Sequence, residues 1–156
     1  MRNFDKKYMQ MAKIWASNSY AKRTKVGALI VKDGMIISDG FNGTPKGFEN
    51  ECEEIVPCDH SCINLFDHDC STCKEHKLKT KPYVLHAEAN AILKVSKSTN
   101  STEGATLYCT MAPCLECAKL IIQAGISRVV YSEPYRDVSG LELLKRANIK
   151  ISQIKV

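Results

Sequence analysis

The sequence predicts an α/β domain built on a mixed sheet with helices on both faces. Three observations carry that expectation. A strand–turn–strand pattern lies near the N-terminus, strand and helix patterns alternate from residue 86 onward, and no internal repeat or low-complexity run interrupts the 156 residues. This length suits a single domain, 1–156, around one core. Hydrophobic residues at 44% and charged residues at 25% fit a soluble globular chain.

The elements follow in order. Phe4, Tyr8, Met11 and Trp15 recur at helical spacing and predict an amphipathic helix over residues 3–19. Val26 to Val31 reads as a buried strand, Lys32-Asp33-Gly34 as a hairpin turn, and Met35 to Ile37 as the start of the returning strand. The segment from Asn42 to Pro82, with a Cys/His-rich insert at about 43–82, follows neither a strand nor a helix period over most of its length. It holds Cys52, Cys58, Cys62, Cys70 and Cys73 together with His60, His68 and His76. So long an irregular segment inside a compact domain calls for a cause, and bound metal supplies one. His86 to Lys94 then reads as a helix rich in alanine, and Ala105 to Thr110 as a strand. Cys114 to Ala124 reads as a helix opened by Pro113 and closed by Gly125. Arg128 to Tyr131 is a strand, Val138 to Ala147 a helix, and Ile149 to Ile154 a last strand.

Charge and cysteine usage narrow the class. A net charge of +5 favours an anionic partner without choosing between nucleotide, RNA and DNA, and no block of like charges forms a nucleic-acid arm. Asp5, Lys6 and Lys7 interrupt the N-terminal stretch, which therefore lacks a signal-peptide core, and the apolar run Val26 to Val31 is too short to cross a bilayer. A cytoplasmic protein without membrane contact is expected. In that setting eight cysteines, including the C-x-x-C pairs Cys70/Cys73 and Cys114/Cys117, favour metal over disulfides.

Two short runs carry chemistry. His86-Ala87-Glu88 stands at one predicted helix start, and Pro113-Cys114-Leu115-Glu116-Cys117 at another, just after a strand. Together they match the H-x-E … P-C-x-x-C pattern of zinc deaminases. Cys114 and Cys117, three apart on one turn, can aim both sulfurs at one point, where the helix N-terminus favours thiolates. Zinc takes thiolate and imidazole ligands at about 2.0–2.3 Å in a tetrahedron. Three protein ligands, His86, Cys114 and Cys117, leave the fourth place for water, which marks a catalytic site. Glu88 is then a base beside that water and not a ligand. H-x-E alone is a weak signal, and C-x-x-C alone suits a redox or structural site as well. The joint pattern in order on two helix starts is specific, and thiolates held on zinc are not free for exchange. Cys109 reads as a small buried thiol.

With these motifs the chain resembles the cytidine deaminase-like superfamily, and within it the deoxycytidylate deaminases. The likeness rests on Lys25-Val-Gly-Ala28, Gly40-Phe-Asn-Gly-Thr-Pro45, His86-Ala-Glu-Ala-Asn-Ala-Ile-Leu93, Pro113-Cys-Leu-Glu-Cys-Ala-Lys119 and Gln123-Ala-Gly-Ile126. It implies a three-layer α/β/α sandwich with a five-stranded mixed sheet. It also implies hydrolysis of dCMP to dUMP and ammonia, supplying thymidylate synthesis, with Zn2+ on His86, Cys114 and Cys117. Glu88 would move protons to N3 and to the leaving amine. Asn42 matches an asparagine that contacts the sugar, Arg23 and Lys25 fall where the family binds phosphate, and Tyr135 and Arg136 resemble a second phosphate-side pair. The plain reading of Arg23 and Lys25 is a solvated basic face. Gly40, Phe41, Asn42 and Gly43 correspond to a Gly-Tyr-Asn-Gly stretch that helps form an allosteric pocket, where dCTP activates and dTTP inhibits. Phe41 lacks the tyrosine hydroxyl. The family commonly forms hexamers, so a homo-oligomer is implied.

Two other classes fit part of the pattern. A deaminase acting on a base in tRNA shares the zinc motif, but the long segment after Asn42 and the Gly40 to Pro45 run resemble the mononucleotide branch. A zinc-bound binding module leaves Glu88 and the second C-x-x-C unexplained. Finally, a second, structural zinc is expected within residues 52–76. Cys58, Cys62, Cys70 and Cys73 are the simplest set, with a histidine able to replace one of them and Cys52 disfavoured. Free thiols are the other reading. The segment has few apolar residues to order it, whereas a four-coordinate zinc supplies folding free energy outright.

Overall fold

The computed structural model describes residues 3–56 and 77–156. Helix α1, Asn3–Ala16, is the expected first helix, ended about one turn early where Ser17 and Asn18 donate to the Ile14 and Trp15 carbonyls. Strands β1, Gly27–Lys32, and β2, Met35–Phe41, form the hairpin. Its two turn residues, Asp33 and Gly34, have φ of 50° and 78°, the left-handed pair that a two-residue primed turn requires.

The segment from Asn42 to Pro82 departs from expectation. Strand β3, Glu53–Val56, pairs antiparallel with β4, Lys77–Thr80, to make a separate two-stranded ribbon. Neither strand announces itself, because four residues are too few to show a period and the partner lies beyond residues 57–76. The cross-strand neighbours Glu54 and Lys79, opposite in charge and 3.9 Å apart, sit on this register.

The rest follows the sequence reading to within a residue or two. Helix α2 spans Ala87–Val95, β5 Thr106–Met111, α3 Leu115–Gln123, β6 Arg128–Glu133, α4 Ser139–Arg146 and β7 Lys150–Gln153. The sheet order is β2-β1-β5-β6-β7, antiparallel across β2-β1-β5 and parallel across β5-β6-β7. The parallel pairs arise because α3 and α4 carry the chain back over the sheet.

Alternation along β1 assigns the faces. Ala28 and Ile30 join Leu107, Cys109 and Val129 under Ala87, Ala91, Ala118, Ile121 and Leu144 of α2, α3 and α4. Leu29 and Val31 join Tyr108 and Val130 under Met9 and Ala12 of α1. The result is a three-layer α/β/α sandwich with a five-stranded mixed sheet. On the α1 face, buried Asp5 accepts two bonds from the Arg128 guanidinium, at 3.0 and 2.9 Å, and one from the Tyr108 hydroxyl at 2.6 Å. The Arg128 bonds hold the Asp5 carboxyl below its ordinary range against the opposing effect of burial. Among the described residues no helix is long and apolar enough to cross a membrane.

Candidate active site

Two helix starts meet at one point. His86 is the residue before α2, with φ −73° and ψ 156°, and Cys114 is the residue before α3, with φ −72° and ψ 172°. Both are extended residues that precede a helix, so each side chain leaves the backbone just ahead of the first turn. His86 is thus the cap of its helix, one step outside α2, although the sequence reading began the helix at His86 itself. Cys117 follows one turn after Cys114.

His86 Nδ1 lies 3.4 Å from the Cys114 sulfur and 3.4 Å from the Cys117 sulfur. A zinc with tetrahedral bonds of about 2.0–2.1 Å to nitrogen and about 2.3 Å to sulfur separates two such ligands by about 3.6 Å. The three donors therefore fit a zinc ion. They are also the one cluster of this kind among the described residues, with Cys52 and Cys109 lying apart as buried free thiols.

The charges around the trio suit a cation. The Cys114 thiol is pulled down to about 3 by the hydrogen bond from Cys117, with His86 adding to the effect. Cys117 is pushed up because Cys114 takes the negative charge of the pair and Cys117 is more deeply buried. A divalent ion between them would hold both as thiolates. The bond to Cys114 also raises His86.

Glu88, in the first turn of α2, is 4% exposed. Burial pushes its carboxyl above the ordinary glutamate range. It lies outside the trio of His86, Cys114 and Cys117. Cys109 beneath it is fully buried, its thiol raised by burial.

Packing seats both helix starts. A Cβ at Gly40 of β2 would stand 2.2 Å from the Ala87 carbonyl oxygen and 2.6 Å from the Ala91 nitrogen, so only glycine lets α2 lie this close. Asn90 donates to the Phe41 carbonyl at 2.8 Å, and Gly43 pairs with Leu85 through bonds of 3.1 and 2.9 Å. A Cβ at Gly140 of α4 would stand 2.2 Å from the Pro113 oxygen, so α4 presses on the backbone that delivers Cys114.

A cleft of about 600 Å³ opens above this corner. His86, Glu88, Cys114 and Ala112 lie in it, with Arg23, Asn42, Tyr135 and Arg136 around them. The structure thus gathers Arg23, Asn42, His86, Glu88, Cys114, Tyr135 and Arg136 around one cavity, while Cys117, Gly40, Phe41 and Gly43 lie outside its lining. Lys25 does not line the cleft. It borders a separate hollow with Lys13 and Glu133, and its ammonium donates to the Ser17 carbonyl at 3.3 Å. The irregular stretch before β1 has no period from which that side could be read, and Thr24 and Val26 face the cleft instead.

Asn42 clamps the cleft wall, donating to the Thr24 carbonyl at 2.9 Å and accepting from the Val26 N–H at 2.8 Å. Among the described residues, one amide N–H and one lone pair of the Asn42 side chain take no partner. The Arg136 guanidinium lies 5.8 Å from the Tyr135 ring centre. Sequence reasoning missed Lys79, Thr80 and Lys81, which line the cleft from β4 and its end. The alternation of Lys77, Lys79 and Lys81 was the available signal. Cys58, Cys62, Cys70 and Cys73, with His60, His68 and His76, lie outside the described residues.

Known proteins bear on this geometry. Residues 2–133 match the family model described as the cytidine and deoxycytidylate deaminase zinc-binding region. The deoxycytidylate deaminase of Saccharomyces cerevisiae is 36% identical over 152 residues, 97% of this chain and 45% of that protein. The chain thus spans under half of the yeast protein's length. The deoxycytidylate deaminase of Enterobacteria phage T4 is 34% identical over 168 residues, 94% of this chain and 87% of that protein. The crystal structure of dCMP deaminase from the cyanophage S-TIM5, in complex with dCMP and dUMP, superposes with a TM-score of 0.81 at 36% identity, covering 99% of each chain.

Proposed function

Since the chain belongs to the cytidine and deoxycytidylate deaminase zinc-binding family, we propose that it hydrolyses dCMP to dUMP and ammonia. The observation that carries the reading is the cleft floor, where a buried carboxyl, Glu88, stands beside a His-Cys-Cys trio and beneath a cationic rim. His86, Cys114 and Cys117 would hold Zn2+, which when bound acts as a Lewis acid and makes water nucleophilic near neutral pH.

The chain's own residues supply the rest. The Glu88 carboxylate, made more basic by burial, accepts one proton of the attacking water and gives it to N3 of the cytosine. It then takes the second water proton from the hydroxyl newly bonded to C4 and gives it to the C4 amine, which leaves as ammonia as the C4–N bond breaks. Asn42 presents its open N–H and lone pair to the sugar. Arg23, Arg136, Lys79 and Lys81 offer positive charge to the 5′-phosphate. Lys25 is left out of that group because of where its ammonium lies.

Ammonia release should be measured across dCMP, CMP, deoxycytidine and a tRNA anticodon stem-loop with zinc-loaded protein. Preference for dCMP supports the reading; turnover of the stem-loop alone would replace it with an RNA deaminase.

Three finer points belong to the same proposal. A second, structural zinc on Cys58, Cys62, Cys70 and Cys73 is supported by their spacing. Metal analysis should give two zinc ions per chain, and one after Cys70 and Cys73 are both changed to Ser. Control by dCTP and dTTP at Gly40 to Gly43 is supported by the direct bond of this stretch to α2 through Asn90; rate titrations with each effector test it, and sedimentation tests the homo-oligomer, with a hexamer as the expected size. A cytoplasmic location goes with the reading, because thiolate ligands need reducing surroundings.

A further inference from the structure

Arg23 lies in the irregular stretch between α1 and β1, yet it is held at two points. Its main-chain N–H, together with that of Lys22, donates to the Glu53 carboxylate at 3.1 Å, and its Nη1 donates to the Thr80 hydroxyl at 3.2 Å. Glu53 and Thr80 are themselves direct partners across the β3–β4 ladder. The three residues therefore close a ring that ties the ribbon to the loop.

We propose that Glu53 and Thr80 are positioning residues that hold the Arg23 guanidinium at the mouth of the cleft, ready for the 5′-phosphate. The inference rests on the reading of the substrate as a nucleoside monophosphate. Its physical basis is the cost of ordering. A free arginine side chain gives up much rotamer freedom when it grips a phosphate, and a side chain already held gives up less. Thr80 suits the task because its β-branched side chain is stiff about χ1. Its hydroxyl takes one of the five guanidinium N–H donors and leaves four. Glu53 serves through its backbone bonds. Because main-chain N–H groups take up its carboxylate, the positive charge of Arg23 remains available to an anion.

The test is a kinetic comparison of Thr80→Val, Thr80→Ser and Glu53→Gln on dCMP and deoxycytidine, with zinc content and circular dichroism checked for each. Thr80→Val should raise the KM for dCMP by about 3–10-fold with kcat little changed, and should cost deoxycytidine less. Thr80→Ser, which keeps the hydroxyl but not the β-branch, should stay closer to the wild-type KM than Thr80→Val. Glu53→Gln should raise the same KM. In an Arg23→Ala background Thr80→Val should add nothing, because the two changes remove one interaction. Equal losses on both substrates, or additive losses in the double variant, would overturn the positioning role while leaving the proposed reaction intact. A wild-type enzyme that handles deoxycytidine as well as dCMP would overturn the phosphate reading itself, and this inference with it.

Discussion

At the floor of the cleft, Cys117 and Glu88 are buried, and His86 and Cys114 hang from helix starts that glycines at 40 and 140 bring into close contact with neighbouring backbone. At the mouth, Arg23, Lys79 and Arg136 are exposed, and one or two hydrogen bonds or ion pairs hold each of the first two. The floor is fixed by packing, in which a small displacement meets steep repulsion. The mouth is fixed by polar contacts worth about 1 kcal/mol each. On the proposed function, the core therefore places the chemistry, and side chains the core does not control would read the substrate.

The contrast makes graded predictions. Glu88→Gln should keep the fold and the zinc, because Glu88 is no ligand, yet lower kcat by about 10²–10⁴-fold through loss of general acid–base transfer. Near-normal turnover with zinc still bound would remove Glu88 from its role. Arg23→Ala should act at the mouth alone, costing dCMP about 10–100-fold in kcat/KM and deoxycytidine far less. Comparable losses on the two substrates would mean that Arg23 serves the fold. Gly40→Ala touches no ligand, yet it should push α2 off β2, lower stability by about 1–3 kcal/mol and reduce kcat on every substrate alike, as thermal melts and the same kinetic panel would reveal. A selective effect on dCMP would blur the boundary between floor and mouth.

A control lies on the far face. Asp5→Asn weakens the bonds to Arg128 and should cost about 1–3 kcal/mol of stability at neutral pH with activity per folded molecule unchanged. Because the folded-state pKa of Asp5 is lowered, its contribution is present above the ordinary carboxylate range and lost as pH falls through the lowered value. The melting difference between wild type and variant should therefore shrink in acid. A difference independent of pH would contradict the assignment.

The floor was legible in the sequence because its candidate donors fall in two short local motifs. Residues 86–88 and 114–117 each sit at a helix start that Pro113, Gly125 and the alanines of α2 announce. The strands of the main sheet were legible for a similar reason, from apolar runs bounded by turn residues and, for β7, from alternation. The mouth was legible only in part: the family resemblance pointed to Arg23 and Arg136, but the ribbon's share was hidden, because it forms only when distant segments meet. The β3–β4 ribbon has four-residue strands whose register depends on pairing across residues 57–76. Lys79 and Lys81 gain their place from that register. The position of Lys25 depends on the path of an irregular stretch. Gly40 reads in sequence as part of a regulatory motif; that it is also the seat of α2 appears only once the helix lies over it. Nothing near Gly140 hints that its neighbour is the backbone at Pro113 and Cys114.

The near-identical backbone angles at His86 and Cys114 have a consequence for how such a centre evolves. Each donor leaves an extended residue ahead of a helix, so the choice between imidazole and thiolate is made by the side chain alone. A cysteine in place of His86 would reach less far, but zinc–sulfur bonds are about 0.2–0.3 Å longer than zinc–nitrogen bonds and recover part of the difference. Such an exchange adds one negative charge to the donor set and softens the metal as an acid, with no change in the path of the chain. Reactivity can drift by single substitutions while the architecture stays still.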